Sequence, residues 1–230
     1  MAATSLAMED LDEITGWQEE LYRYLHAHPE LSFQEVETRA LIARRLRESG
    51  YEVQEIGGGV VGVLRNGPGP TVLFRADIDA LPVTEATGLE YASTVTAEDP
   101  SGATVGVMHA CGHDHHIVAA LGAATLLNAR RDLWSGTYVA LFQPAEELGS
   151  GAQAMVDDGL TEKVPHPDVC LAQHVLAAPE AGHVATSAGP VLSAGDSLRI
   201  TIHGAGSHGS MPHLGVDPVV VAAAIVLRLQ

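Results

Sequence analysis

Residues 137–147 read "TYVALFQPAEE", and this stretch decides the class of fold. Its first seven residues form a nearly continuous apolar run, which is typical of a strand buried on both faces of a sheet. The preceding stretch "DHHIVAALGAATLLNARR", residues 114–131, has the apolar spacing of a helix. Strands that alternate with helices in this way predict an α/β domain with a mostly parallel central sheet flanked by helices.

The flanking segments continue this alternation. A polar helix is predicted from about Glu9 to Ala27, and a second helix over 31–50, where Ser32 and Glu35 have the spacing of a capping box. Asp114 is predicted to be the N-cap of the helix that follows it. A short helix is expected over 150–159. Strands are expected at 51–56, 60–66, 71–79, 104–110 and 168–174, the last of them buried.

The composition excludes several classes of protein. With 12 basic and 29 acidic residues the formal net charge is −17, so a basic footprint for nucleic acid cannot form. No apolar run approaches the roughly 18 residues of a membrane helix, and the N-terminus lacks the basic and apolar regions of a signal peptide. The chain has two cysteines, which is too few for the disulfide framework typical of small secreted proteins. We therefore expect a protein of the reducing cytoplasm.

The sequence pattern changes near residue 190, which predicts a domain over 1–190 and a second segment over 191–230. In the second segment, "SLRITIHG" at 197–204 alternates like a half-exposed strand, and "GVDPVVVAAAIVLRLQ" at 215–230 is an apolar helix. One strand and one helix cannot bury their own apolar faces. The first domain or another chain covers them, or the sequence stops inside an incomplete α+β domain.

Reactive side chains follow the predicted strands. "RADID" comes after Phe74, "HACGHD" after Met108, "QPAEE" after Phe142 and "QH" after Ala172. In open α/β sheets, binding sites form outside the carboxyl ends of the strands. These four polar clusters are therefore expected to converge in space.

The turn at "HACGHD" offers two metal-binding side chains, Cys111 and His113, separated by one glycine. The N-terminus of the following helix favours anions and is expected to lower the pKa of the thiol. A thiolate with imidazoles and carboxylates suits zinc or a similar divalent ion. The alternatives are a buried cysteine beside surface histidines, or a cysteine nucleophile with a histidine base. His115 is expected either to be solvated or to contact the ligands without binding the metal.

Further candidates lie after the neighbouring strands. Of the adjacent pair Glu146 and Glu147, one carboxylate can bind metal while the other acts as a base, although such pairs are commonly only solvated. His174 alone is more often structural, and His208 lies in a glycine-rich loop. Because a nucleophilic cysteine leaves Glu146, Glu147 and His174 unexplained, the residues favour metal-assisted hydrolysis.

Five motifs in fixed order carry a family resemblance over almost the whole chain. They are "LHAHPELSFQEVET", "FRADIDALPVTE", "MHACGHDHHIVAALGAA", "FQPAEELGSGAQAMVDDG" and "GAGSHGSMPHLGVDPVVVAAAIV". The chain resembles the M20 metallopeptidase superfamily, in particular its amidohydrolase branch of hippurate hydrolases, N-acyl-amino-acid amidohydrolases and plant auxin-conjugate hydrolases. The resemblance implies an aminopeptidase-like α/β domain, an inserted lid domain and hydrolysis of N-acyl amino acids by metal-activated water.

The resemblance also assigns roles to residues. It implies two divalent ions, which can be zinc, manganese, cobalt or nickel, and a homodimer formed through the lid. Glu146 is implied as the general base, and His208 as a lid histidine that binds the oxyanion or the substrate carboxylate. The implied metal ligands are Cys111, His113, Glu147 and His174. Asp77 and Asp114 are implied to contact these ligands without binding the metal themselves.

The chain departs from the family in its length. The resemblance implies a longer lid, a return to the catalytic domain and a further histidine ligand, none of which follows residue 230. We therefore expect a fragment or truncated product that is far less active than a full-length relative. The competing hypothesis is a non-catalytic metal-binding or interaction protein derived from the family.

Overall fold

A five-stranded sheet forms the centre of the first of two structural units. The computed structural model describes residues 10–178, 180–191, 195 and 198–230, and the first unit ends at Ala177. The second unit begins at Ala178, and the predicted domain boundary at residue 190 stays a prediction. In chain order the strands of the first unit are β1 Glu52–Ile56, β2 Gly59–Asn66, β3 Thr71–Asp77, β4 Thr96–Glu98, β5 Thr104–Gly106, β6 Gly136–Gln143 and β7 Val169–Ala172.

Two helices precede these strands, and beyond β5 helices and strands alternate, in the order that the sequence predicts. A short 3-10 turn at Arg131–Leu133 leads into β6. The α-helices of the first unit are α1 Leu11–Ala27, α2 Val36–Glu48, α3 His113–Ala129, α4 Gly151–Asp157 and α5 Leu160–Lys163.

The central sheet is mostly parallel, which confirms the prediction. Its strand order is β1-β2-β6-β3-β7, and β4 and β5 form a separate two-stranded sheet. Strand β3 pairs in parallel with both β6 and β7, whereas β2 runs antiparallel to its two neighbours β1 and β6. Four of the five central strands therefore point the same way, and only β2 is reversed.

Strand β6 is buried on both faces, as its apolar run predicts. Tyr138, Ala140 and Phe142 pack into the core that helices α1, α2 and α3 cover. Val139 and Leu141 point the other way, into a smaller core that Met155 of α4 closes. Side chains alternate between the faces of a strand, so a continuous apolar run is what two covered faces require. Helices on both faces make this a three-layer α/β unit.

The start of α2 differs from the prediction. Glu30, rather than Ser32, caps the helix, because its carboxylate accepts the backbone N–H groups of Val36, Glu37 and Thr38 at 2.8–3.1 Å. Ser32 instead donates its hydroxyl hydrogen to Asp79. The capping box is therefore wrong, since the helix begins at Val36, beyond the last residue of the predicted box.

The predicted N-cap of α3 is also wrong. Helix α3 begins at His113, and its N-cap is Gly112, which adopts a left-handed conformation with φ 77°. Asp114 lies inside the first turn, where its carboxylate accepts the backbone N–H of His115. The left-handed glycine ends the preceding turn, so the N-cap lies two residues before the predicted one.

Strand β7 is exposed, although its apolar composition predicts burial. Val169 and Leu171 retain 46% and 49% of their accessible surface. The strand stands at one end of the strand order and pairs with β3 alone among the described strands. An outer strand with little covering its faces cannot bury both sets of side chains, which explains the difference.

The second unit begins at Ala178 and contains one confirmed helix, α6, at Pro218–Leu229. Asp217 caps it by accepting the backbone N–H of Val219 at 2.9 Å. The strand predicted over 197–204 is wrong for its described part: residues 198–204 form no strand, since no strand pairs with them within the described segment. Residue 197 of that prediction lies outside the described residues.

A helix that crosses a lipid bilayer must be both long and apolar. Among the described residues, none of the helices combines the length and apolar character that crossing a membrane requires.

The cap on α2 provides a test of the fold. We expect Glu30→Ala to lower the free energy of unfolding by about 0.5–2 kcal/mol, because it removes an N-terminal cap. Urea denaturation measures this change. The control is Glu37→Ala, which removes an exposed carboxylate of the same turn that caps no amide in the described structure. Equal losses in the two variants would show that Glu30 does not act as the cap.

Candidate metal centre

The carboxyl ends of the parallel strands lie at one edge of the sheet. Asp77, the last residue of β3, is directly opposite Gln143, the last residue of β6. Strand β7 ends on the other side of β3, where Ala172 is opposite Arg75. Three of the four predicted polar clusters therefore leave the sheet at neighbouring points. The fourth cluster, which begins at His109, does not follow a strand of the central sheet. The strand before it, β5, ends at Gly106 and belongs to the two-stranded sheet.

Gly112 brings the fourth cluster to the same edge. Its left-handed conformation reverses the chain between Cys111 and His113, which then begins α3. A β-carbon at this position would lie 2.4 Å from Cγ2 of Val175, so the turn also packs against the segment that follows β7. Glycine is required here both by its backbone conformation and by this close approach.

Cys111, His113 and Glu147 form a potential metal-binding group. One ligand atom from each of the three lies within 4.8 Å of the others. His113 is 1% exposed, and its Nδ1 lies 2.9 Å from the backbone oxygen of Asp79. A carbonyl oxygen only accepts, so Nδ1 carries the hydrogen and Nε2 presents its lone pair.

The lone pair of His113 has no partner in the protein. Its Nε2 and Oε1 of Glu147 are both buried without a hydrogen bond, and they lie 3.9 Å apart. Two unpaired acceptors this close, both out of reach of solvent, are unfavourable unless a cation lies between or beside them. The sulfur, nitrogen and oxygen donors suit zinc and similar divalent ions. The residues therefore fit the metal that the sequence predicts.

His174 approaches this group from the segment after β7. Its ring centroid is 5.9 Å from that of His113, and its Nδ1 lies 2.6 Å from the backbone oxygen of Val175. That contact places the hydrogen on Nδ1 and leaves Nε2 as the lone-pair nitrogen. The side chain is exposed and is a neighbour of the three-residue group rather than a member of it.

The expected low pKa of Cys111 is wrong. Burial raises the pKa of the thiol, and the carboxylates of Glu147, Glu146 and Asp77 raise it further, to about 12. These carboxylates outweigh the N-terminus of α3. A thiolate here needs a compensating positive charge, which a metal ion supplies. The same high pKa makes Cys111 a poor nucleophile on its own, which argues against the alternative of a cysteine hydrolase.

Asp77 belongs to a second group of buried side chains, together with His113 and His116. Burial alone would raise its pKa, but the hydrogen bond from His116 and the charges of His113 and Arg75 outweigh burial and lower the pKa to about 2. A ligand atom of Asp77 lies within 4.8 Å of one from each of His113 and His116. The sequence does not predict His116 as a ligand, although its spacing of three from His113 places both on one face of α3.

Asp114 contacts residues that the sequence analysis missed. Its Oδ2 lies 2.7 Å from Nδ1 of His26, whose Nε2 lies 3.1 Å from Oε1 of Glu85. Burial lowers the pKa of His26, but the hydrogen bonds to Asp114 and Glu85 raise it above the usual value. No sequence signal links these three positions, because 88 residues separate His26 from Asp114.

The loop that carries Glu146 and Glu147 is held by two buried carboxylates. Ala145 has a φ of 45°, which is rare for a residue with a β-carbon, and its backbone N–H donates to Oε1 of Glu35 at 2.9 Å. The backbone N–H of Glu147 donates to Oδ2 of Asp79 at 3.1 Å. Glu35 therefore acts at this loop and not in the predicted capping box.

An open cavity of about 680 Å³ lies beside the metal-binding group. Its walls include Cys111 and His174, so it provides a route to the candidate metal centre. His109 also lines it, with both ring nitrogens buried and unpaired, and burial lowers the pKa of His109 to about 4. His115 is exposed on the rim, as the sequence predicts.

His208 belongs to the second unit. It is exposed, and its Nδ1 lies 2.9 Å from the hydroxyl oxygen of Ser210. Its role in catalysis stays a prediction.

The contact between Glu35 and the Glu146 loop can be tested. Burial raises the pKa of Glu35, so neutral glutamine is a close replacement. We expect Glu35→Ala to lower the free energy of unfolding by about 1–3 kcal/mol, because the buried N–H of Ala145 loses its acceptor. Glu35→Gln keeps an oxygen in place and should cost less. Chemical denaturation of both variants measures the difference, and identical losses would contradict a role for this hydrogen bond.

Comparisons with known proteins identify the family. The model of Peptidase family M20/M25/M40 matches residues 73–227. Thermostable carboxypeptidase 2 of Saccharolobus solfataricus is 42% identical over 222 residues, which cover 94% of this chain and 53% of the relative. N-acetyl-L-cysteine deacetylase of Bacillus subtilis is 39% identical over 211 residues, which cover 90% of this chain and 48% of the relative.

A solved structure gives the same result. A dinuclear metal-binding peptidase of the M20 family from Bacillus subtilis is 40% identical and has a TM-score of 0.62, over 71% of this chain and 43% of its own. The chain spans about half the length of the curated relatives it matches. The resemblance found in the sequence is confirmed: the chain belongs to peptidase family M20/M25/M40.

Proposed function

We propose that this chain is the metal-binding part of a hydrolase that cleaves the amide bond of N-acyl amino acids with two divalent metal ions. The observation that carries the proposal is the pair of buried, unpaired acceptors, Nε2 of His113 and Oε1 of Glu147, beside the thiol of Cys111. A hydrolase with these ligands needs a base within reach of the same site, which Glu146 supplies.

The proposed metal ligands are Cys111, His113, Glu147 and His174. Their mixed sulfur, nitrogen and oxygen donors accept zinc, manganese, cobalt or nickel, so the metal is set by supply and coordination geometry. When bound, such ions polarise the scissile carbonyl group and lower the pKa of water. The backbone oxygen of Asp79 orients the ligand His113 by accepting from its Nδ1, and Oδ1 of Asp77 lies 3.6 Å from Nε2, on the side of the ring that faces the proposed metal.

Glu146 is the proposed general base. Its Oε2 lies 4.0 Å from Nε2 of His113, and its side chain is 38% exposed, compared with 18% for Glu147. The more buried carboxylate suits a metal ligand, and the more exposed one can reach substrate and solvent. In the proposed reaction Glu146 takes a proton from the attacking water and gives it to the leaving amine.

The substrate class follows from chemistry that the relatives share. A deacetylase of N-acetyl-L-cysteine and a carboxypeptidase both cleave an amide bond. We infer a small N-acyl amino acid as substrate, with His208 binding the oxyanion or the substrate carboxylate. A homodimer through the second unit is proposed from the exposed apolar side chains of α6, which include Val219, Val220 and Leu227.

A second candidate function is metal binding without catalysis. It rests on the same group of Cys111, His113 and Glu147, which can bind an ion whether or not a base acts beside it. The resemblance implies that a further histidine ligand comes from the part of those relatives that the chain does not match. Metal content and turnover distinguish the two candidates.

Metal content gives the first test. We expect Cys111→Ala to lose at least one of two bound ions per chain, because the variant lacks a proposed thiolate ligand. Elemental analysis after gel filtration in zinc or manganese measures this. The matched control is Cys170→Ala, which removes the exposed cysteine of β7 and should leave the metal content unchanged. Equal metal content in all three proteins would contradict the proposed ligand set.

Turnover gives the second test. The metal-loaded chain is assayed with a panel of N-acetyl amino acids, with release of the free amine as the measurement. We expect Glu146→Gln to lower kcat by about 10²–10⁴-fold, because it removes a general base, while its metal content stays that of the parent chain. If the parent chain binds metal but hydrolyses none of the panel, the second candidate function replaces the first.

A further inference from the structure

We propose that His116 is a positioning residue that holds the segment of His174 in place through the backbone of Val175, and that it is not a metal ligand. The inference rests on the proposed function, because His174 is assigned as a ligand there. Its own basis is the pattern of hydrogen bonds around a fully buried imidazole.

Both ring nitrogens of His116 are already used. The backbone N–H of Val175 donates to Nε2 at 2.9 Å, so Nε2 must present its lone pair. Nδ1 then carries the hydrogen and donates it to Oδ1 of Asp77, at 2.5 Å. The side chain is 0% exposed. The two hydrogen bonds therefore define the tautomer of His116, with the hydrogen on Nδ1 and the lone pair on Nε2.

This pattern separates the two histidines of the first turn of α3. Donor distances alone make Asp77, His113 and His116 a second potential metal group. However, the lone pair of His116 is occupied by an amide hydrogen, whereas Nε2 of His113 is unpaired. A metal ion cannot use a lone pair that already accepts a hydrogen bond. His113 is thus available as a ligand, and His116 is not.

The contact with Val175 lies where the sheet no longer holds the chain. Strand β7 pairs with β3 up to Ala172, and His174 lies two residues beyond that last pair. The ring of His116 packs edge-on against His174, with centroids 4.8 Å apart and an interplanar angle of 70°. His116 therefore contacts both the ring of His174 and the amide that follows it.

The other end of the chain of hydrogen bonds is fixed to the sheet. Asp77 ends β3, and its Oδ2 accepts from Nη1 of Arg75 at 2.7 Å. Nε of Arg75 donates to the side-chain oxygen of Gln143, the last residue of β6, at 2.9 Å. The series Arg75, Asp77, His116 and the amide of Val175 thus links the ends of β3 and β6 to the segment after β7.

Two amide variants separate the two bonds of His116. Glutamine places its oxygen near the position of Nε2 and can accept from Val175, while asparagine is shorter and can replace only the bond to Asp77. With zinc and a competing chelator, we expect His116→Asn to weaken the binding of one of two ions by about 10–100-fold. We expect His116→Gln to stay within about threefold of the parent chain. Equal weakening in both variants would overturn the proposal, because it would indicate a general packing defect.

A metal-free readout separates this inference from the proposed function. In the apo chain we expect hydrogen exchange of the Val175 amide to be at least tenfold faster in His116→Asn than in the parent or in His116→Gln. This measurement does not depend on zinc binding. If the parent chain binds no zinc, the proposed function is refuted, whereas faster exchange in His116→Asn would still support the inference. Unchanged exchange in His116→Asn would overturn the inference.

Nitrogen NMR of the parent chain requires no variant. With ¹⁵N-labelled histidine, we expect His116 to show a protonated Nδ1 and an unprotonated Nε2. A cationic ring, or a hydrogen on Nε2, would overturn the proposal even if both variants failed to fold.

Discussion

The parallel pairing of β3 with β6 is the constraint on which the site depends. It places Asp77 opposite Gln143 at the last pair of residues in both strands, so the chain leaves the sheet twice at the same place. Strand β6 can occupy the centre of the sheet because apolar side chains cover both of its faces. The burial that stabilises the sheet thereby fixes where the polar side chains emerge.

Buried hydrogen bonds then give similar side chains different roles. His113 and His116 belong to the same turn of α3, yet one keeps an unpaired lone pair and the other uses both nitrogens. The carboxylates of Asp77 and Asp79 face inward and orient their neighbours, whereas Glu146 stays accessible at the edge of the site. Because each buried polar atom needs a partner, the unpaired Nε2 of His113 and Oε1 of Glu147 beside Cys111 indicate where a cation fits.

The sequence predicts those features that depend on local patterns. The double burial of β6 and the helix α3 follow from apolar spacing, and the emergence of Asp77 and Glu147 at one edge follows from the ends of β3 and β6. Cys111 and His113 join them through the turn at Gly112. Contacts between distant residues have no such pattern. The bonds from Glu35 to Ala145 and from His116 to Val175 therefore could not be predicted, and the pKa of Cys111 was misjudged because the carboxylates around it come from other segments.

The long separation of these contacts has a consequence for folding. Glu35 and Ala145 are 110 residues apart, Val175 and His116 are 59 apart, and His116 and Asp77 are 39 apart. Closing such loops costs chain entropy that is recovered only when the strands between them are paired. We therefore expect the candidate metal centre to assemble after the sheet, because its contacts depend on strands that are already paired. The segment of His174 is expected to join last, since it needs β3, α3 and β7 to be in place first.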